Sequence, residues 1–123
     1  MSDTHSLQFL KICEAARKRI QELSIEHVAV GGDFILIDVR EDHEWQAGHL
    51  PGARHLGRGI LERDIEKLIP NFQQKIVLYC GGGYRSALAA VSLEEMGYQS
   101  VFSMAGGYRG WLEKGLDVEQ EGT

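Results

Sequence analysis

The 123-residue chain has two cysteines, Cys13 and Cys80, no basic excess and no long apolar run. Each shortage narrows what it can do. Two thiols cannot build a four-cysteine zinc site, and a structural disulfide would be unusual in a reducing compartment. His5, His27, His43, His49 and His55 lack metal-ligand spacing, so the sequence implies no structural metal. Thirteen basic residues stand against eighteen acidic ones, a net charge of -5. That balance argues against a general nucleic-acid or anionic-membrane binder. No apolar signal core opens the sequence and no run approaches a membrane span, so the expectation is a soluble cytoplasmic protein with no membrane partner. Repeats, linkers and low-complexity segments are lacking as well. What is there is one globular domain, 43% hydrophobic and 25% charged, long enough to bury a core without staples.

The apolar positions Phe9, Cys13, Ala16, Ile20 and Leu23 alternate in steps of four and three, which predicts an amphipathic helix over residues 5–23. Glu14, Lys18 and Glu22 offer i,i+4 pairs on its other face. Ser24 caps a short turn that glycines 31 and 32 break. The runs "FILID" (34–38), "KIVLYC" (75–80) and "SVF" (100–102) read as buried parallel strands. Helices are expected at 42–47, at 59–69 before Pro70, at 86–97 with Gly97 as its cap, and after the glycines at 106–107. Strands alternating with helices give an α/β domain with a mainly parallel sheet. The division is a helical extension at 1–23, a domain at 24–118 and a polar tail at 119–123.

The chemistry concentrates in "IVLYCGGGYRSALAAV". A buried strand delivers Cys80 to its carboxyl end, where ligands bind in open α/β sheets. Gly81, Gly82 and Gly83 let the backbone curl so that N–H groups point inward, Tyr84 completes the loop, and Arg85 adds a cation beside a helix start. Such surroundings favour an anion on sulfur and hence a nucleophilic thiolate. The lysine and Ser/Thr of a P-loop are absent. An inert buried cysteine is the plain alternative, and the joint presence of strand, thiol, glycine cradle and arginine speaks against it. Cysteine phosphatase loops space Cys and Arg by five residues; here four separate them. The smaller ring fits one sulfur atom better than a phosphoryl group.

The loop "CGGGYR" resembles the active-site loop of rhodanese domains. "LIDVREDHEWQAGHLPGA" (36–53) resembles that family's first signature and "MAGGYRGW" (104–111) its closing one, in the expected order over residues 24–118. The resemblance implies a doubly wound, five-stranded, mainly parallel sheet flanked by helices, with the N-terminal helix as an addition. It implies that Cys80 carries sulfur as a persulfide and that the loop from Gly81 to Arg85 binds it. The sulfur comes from a small donor, thiosulfate or another sulfane sulfur, and goes to a thiol or protein-cysteine acceptor. Supporting roles are implied for Asp38, bonding backbone near the loop, for Arg40, pairing with Glu44, and for His49, holding a turn. Gly106, Gly107 and Trp111 pack the last helix. Arg58 is a candidate contact for an anionic donor. A small phosphatase or arsenate reductase on a related fold and a non-catalytic rhodanese-like binding module are the alternatives. The stripe on the N-terminal helix docks on its own domain or, as the sharper expectation, forms a homodimer; Cys13 lies on that stripe and reads as packing.

Overall fold

Successive side chains of a strand point to opposite faces, and the central strands here are apolar on both. In the computed structural model, which describes residues 5–120, β2 (Ile35–Asp38) and β4 (Ile76–Tyr79) are almost wholly buried. Ile37, Ile76 and Leu78 join one core cluster and Leu36, Val77 and Tyr79 the other. β5 (Val101–Met104) divides in the same way. The edges are β1 (Gln21–Leu23) and β3 (Arg54–His55). The strand order is β1-β5-β4-β2-β3, with every pair parallel.

Helices cover both faces. α1 (Leu7–Arg19), α4 (Leu61–Leu68) and α5 (Tyr84–Glu95) pack against the first cluster through Ala16, Leu61, Ile65, Ala87 and Ala90. α2 (Ile25–Val30) and α6 (Gly107–Glu113) cover the second through Ile25, Val28 and Trp111. α3 (Asp42–Ala47) lies just past β2, its first turn closed by a capping box between Glu41 and Glu44. From β2 the chain runs out to β3, then crosses to β4 on the other side of β2. The strand order therefore reverses between β2 and β4, and a crevice opens at their carboxyl ends.

Two expectations about the N-terminal segment need correction. The helix stops at Arg19 rather than residue 23, because Ile20 is extended and its side chain enters the sheet cluster, and residues 21–23 form β1 beside β5. With the helix ended, Glu22 bonds Arg17 at 3.2 Å instead of completing a spacing with Lys18, and Glu14 also pairs with Arg17. The stripe itself docks on this domain: Cys13 and Ala16 are buried, while Leu7 and Ile12 remain exposed. At the other end Glu119, the first residue of the expected polar tail, forms an antiparallel bridge with His49. The remaining tail positions, 121–123, and positions 1–4 of the extension lie outside the described residues.

Candidate active site

Cys80 follows β4 directly and is 1% exposed. Its Sγ accepts hydrogen bonds from the backbone N–H of Gly83 at 3.1 Å and of Ser86 at 3.3 Å, and the Ser86 hydroxyl lies 3.4 Å away. Two aligned N–H dipoles on one sulfur stabilise negative charge there. The turn that aims them needs Gly83, which sits at φ +99°, in the left-handed region. Ser86 is held in turn by Ser103 of β5, with the two hydroxyls 2.8 Å apart.

The loop is braced from below by α6. The N–H groups of Tyr108 and Arg109 donate to the carbonyls of Cys80 and Gly81 at 2.8 and 2.9 Å. That approach requires a glycine before them. A Cβ on Gly107 would lie 2.5 Å from the Cys80 oxygen and 2.6 Å from the Gly81 oxygen. Gly107 therefore packs the last helix against the cysteine loop itself.

The charged groups fall into two sets. Arg40 forks onto Asp38, with contacts of 2.8 to 3.1 Å, and reaches the Gly48 carbonyl at 2.6 Å. Both are buried, and the Arg40 backbone N–H also bonds Asp38. Burial, with the Asp38 carboxylate beside it, pushes the Tyr79 hydroxyl far above its ordinary pKa. The pairing of Arg40 with Glu44 is thus corrected: Asp38 and Gly48 have already engaged its guanidinium. Glu44 instead takes Arg85, at 3.0 and 3.3 Å, and also accepts the Glu41 N–H at 2.9 Å. Burial opposes ionisation of Glu44, but these bonds outweigh it and hold the carboxyl below the usual range. Arg85 is raised, first by its bond to Glu44 and then, against the cost of burial, by the charge of Cys80.

The chain that carries this crevice, with its five-stranded parallel sheet, is matched by known proteins. The sequence profile of the rhodanese-like domain family matches residues 17–114. The chain belongs to the rhodanese-like domain family. Among its relatives, the thiosulfate sulfurtransferase GlpE of Pseudoalteromonas translucida is 38% identical over 80 residues, 64% of this chain and 73% of that protein. A protein of unknown function from Rhodopseudomonas palustris, described as a possible tyrosine phosphatase, is 29% identical with a TM-score of 0.82, over 97% of this chain and 99% of its own. The polysulfide-sulfur transferase homodimer of Wolinella succinogenes is 29% identical with a TM-score of 0.77, over 94% of this chain and 89% of its own.

Within this rhodanese-like domain the other sequence-predicted residues are not gathered at the cysteine loop. Arg58 bonds Glu62 at 2.7 Å and Ser92 at 3.2 Å, well along α5 from the loop. His49 stacks on Trp45 with centroids 3.5 Å apart and places Nδ1 2.9 Å from the Trp45 carbonyl. The Trp111 indole N–H donates to the Asp117 carbonyl at 2.8 Å, and a Cβ on Gly106 would meet Ile25 at 3.2 Å. Three participants escaped sequence reasoning. Ser86 directly follows the loop and was legible as its next residue. Ser103 carries no local signal, since only sheet pairing brings it near. Arg109, inside the closing signature, lies with its guanidinium 3.3 Å from where a Gly82 Cβ would stand. The rhodanese-like loop also meets α1 and the residues just before it: the Tyr84 ring lies 6.2 Å from Phe9 and 4.9 Å from His5, centroid to centroid. Among the described residues no group of three or more His, Cys, Asp or Glu side chains is placed to hold a metal ion.

Proposed function

We propose that this chain is a sulfurtransferase that carries sulfane sulfur as a persulfide on Cys80. The observation that carries the reading is the Cys80 sulfur receiving backbone N–H bonds from Gly83 and Ser86 at the carboxyl end of β4. In the first half-reaction the Cys80 thiolate attacks the outer sulfur of thiosulfate. A bond forms between Sγ and that sulfur, the donor S–S bond breaks, and its electron pair leaves with sulfite. In the second half-reaction a thiolate acceptor, a small thiol or a protein cysteine, attacks the outer sulfur and returns Cys80 as thiolate. No redox partner, metal or cofactor enters the balance. The inward N–H groups act as fixed donors for sulfur-borne charge, a preorganised form of stabilisation. Arg85, tied to Glu44, closes the loop: its guanidinium stands 3.1 Å from a Cβ position on Gly81. Gly81, Gly82 and Tyr84 complete the persulfide cradle, while Asp38, Arg40, Glu44, His49, Gly106, Gly107 and Trp111 support it.

The names of the sulfurtransferase relatives support this reading, and the polysulfide-sulfur transferase supports a wider donor range than thiosulfate. That relative is a homodimer; exposed Leu7 and Ile12 on α1 are where a second copy of this chain would meet it. Among the described residues no helix is long and apolar enough to cross a membrane; the cytoplasmic setting is part of the proposal.

The test is the mass of the Cys80 peptide after incubation with thiosulfate or polysulfide and no reductant. A gain of one sulfur atom, absent in Cys80→Ser, is expected. A bare thiol with every sulfur donor, together with hydrolysis of an aryl phosphate that Cys80→Ser abolishes, would replace the proposal with the phosphatase reading.

A further inference from the structure

Two arginines flank the cysteine loop, and they are in opposite electrostatic situations. Arg85 is bound through both terminal nitrogens to Glu44, so its charge is offset on the spot. Arg109 has no carboxylate or hydrogen-bonding partner for its guanidinium among the described residues, and the residue is exposed. Its backbone is nevertheless held at the loop. Its backbone N–H is bonded to the Gly81 carbonyl, its helix is held against the loop by Gly107, and its guanidinium carbon stands 3.9 Å from the Gly82 Cβ position. The middle of "CGGGYR" therefore borrows from α6 a cation that its own sequence lacks.

We propose that Arg109 is a specificity-determining residue of the sulfur-donor site, binding the oxyanion end of a doubly charged donor such as thiosulfate while Cys80 attacks its outer sulfur. The inference rests on the sulfurtransferase reading and deepens it by assigning the donor class. A planar guanidinium with free N–H groups matches an oxyanion bearing several equivalent oxygens. When Sγ bonds to the outer sulfur, the S–S electron pair leaves with sulfite, so negative charge grows at the end that Arg109 holds and the residue serves donor capture and sulfite departure alike. The contribution of Arg109 is therefore read in kcat/KM for the donor.

The experiment compares wild type, Arg109→Gln, Arg109→Lys and Arg63→Gln, with thiosulfate and the singly charged methanethiosulfonate as donors. Arg63 is an exposed arginine paired with Asp64, so its substitution removes a charge of the same sign away from the loop. Losing one charge-assisted hydrogen bond predicts a kcat/KM for thiosulfate lowered about tenfold in Arg109→Gln. A smaller loss with methanethiosulfonate, partial rescue by Arg109→Lys and no effect of Arg63→Gln complete the expected pattern. Equal kcat/KM values in wild type and Arg109→Gln, or equal losses with both donors, would overturn the inference while wild-type loading of Cys80 leaves the sulfurtransferase reading standing. If wild type loads from neither donor, both fall together.

Discussion

At the carboxyl end of β2 the Asp38 carboxylate is fully buried and its partners crowd it: the Arg40 fork, the Arg40 backbone and the Tyr79 hydroxyl. At the neighbouring end of β4 the Cys80 sulfur is also buried, but its donors are the N–H groups of a glycine loop and of the first turn of α5. Both ends gather hydrogen-bond donors at the switch point. They differ in what the donors face. The β2 end surrounds a carboxylate matched by its own side-chain neighbours, which is scaffold. The β4 end surrounds a sulfur that, in the function proposed above, gains and loses a substituent. Position in the fold alone does not make a site; the site is where matching is done by groups that stay fixed while the ligand atom changes.

The comparison breaks most visibly at Arg40. Arg40→Ala leaves the Asp38 carboxylate buried without its counter-charge and strands the Gly48 carbonyl. Breaking one partner of a buried pair costs about 3–5 kcal/mol, a large share of the stability of a domain this size. Urea unfolding should show that loss, while the protein that remains folded still takes one sulfur per Cys80. A small stability change with lost sulfur loading would mean that the β2 end takes part in the chemistry.

The next effect is at Gly107. Gly107→Ala drives a methyl into the carbonyls of Cys80 and Gly81 at φ +59°. Overpacking of that kind costs roughly 1–3 kcal/mol, and relief requires α6 to lift from the loop. The expected result is a moderate loss of stability with a larger loss of Cys80 loading, the reverse of the Arg40 pattern. Equal losses of both would erase the distinction between the two strand ends.

Much of this was legible from the sequence, for reasons that differ by element. The central strands announced themselves because a strand buried on both faces is a continuous apolar run, as in "IVLY". The edge strands did not: β1 and β3 are three and two residues long and carry Gln, Glu, Arg and His, so neither has a period to read. The cysteine loop was legible because its residues are consecutive. Its long-range partners were not. Nothing local distinguishes Ser103, and the pairing of Arg85 with Glu44 rather than Arg40 with Glu44 depends on how Asp38 already occupies Arg40. Arg109 sat inside a recognised signature, yet its relation to Gly82 exists only once Gly107 brings α6 against the loop.

The smallest effect tests an ion pair that links the two ends, Glu44 with Arg85. Glu44→Gln keeps the shape, and its amide oxygen can still accept the Glu41 N–H, so the change removes charge and little else. The folded-state pKa of Glu44 is depressed. Its contribution to stability is therefore fully present above the unfolded value of about 4.3 and is lost as pH falls through the folded value. The pair is partly exposed on both sides, at 32% and 27%, which limits the difference to about 1 kcal/mol or less at neutral pH. Thermal melts of wild type and Glu44→Gln should differ by a few degrees at pH 7 and converge as the pH drops below the carboxylate range. A gap that persists unchanged at low pH would show that packing, not charge, carries the contribution. Releasing Arg85 also adds an unmatched cation beside Cys80, so the same variant should lower KM for thiosulfate while it lowers stability. That opposition of signs would mark Glu44 as the residue through which the scaffold restrains the site.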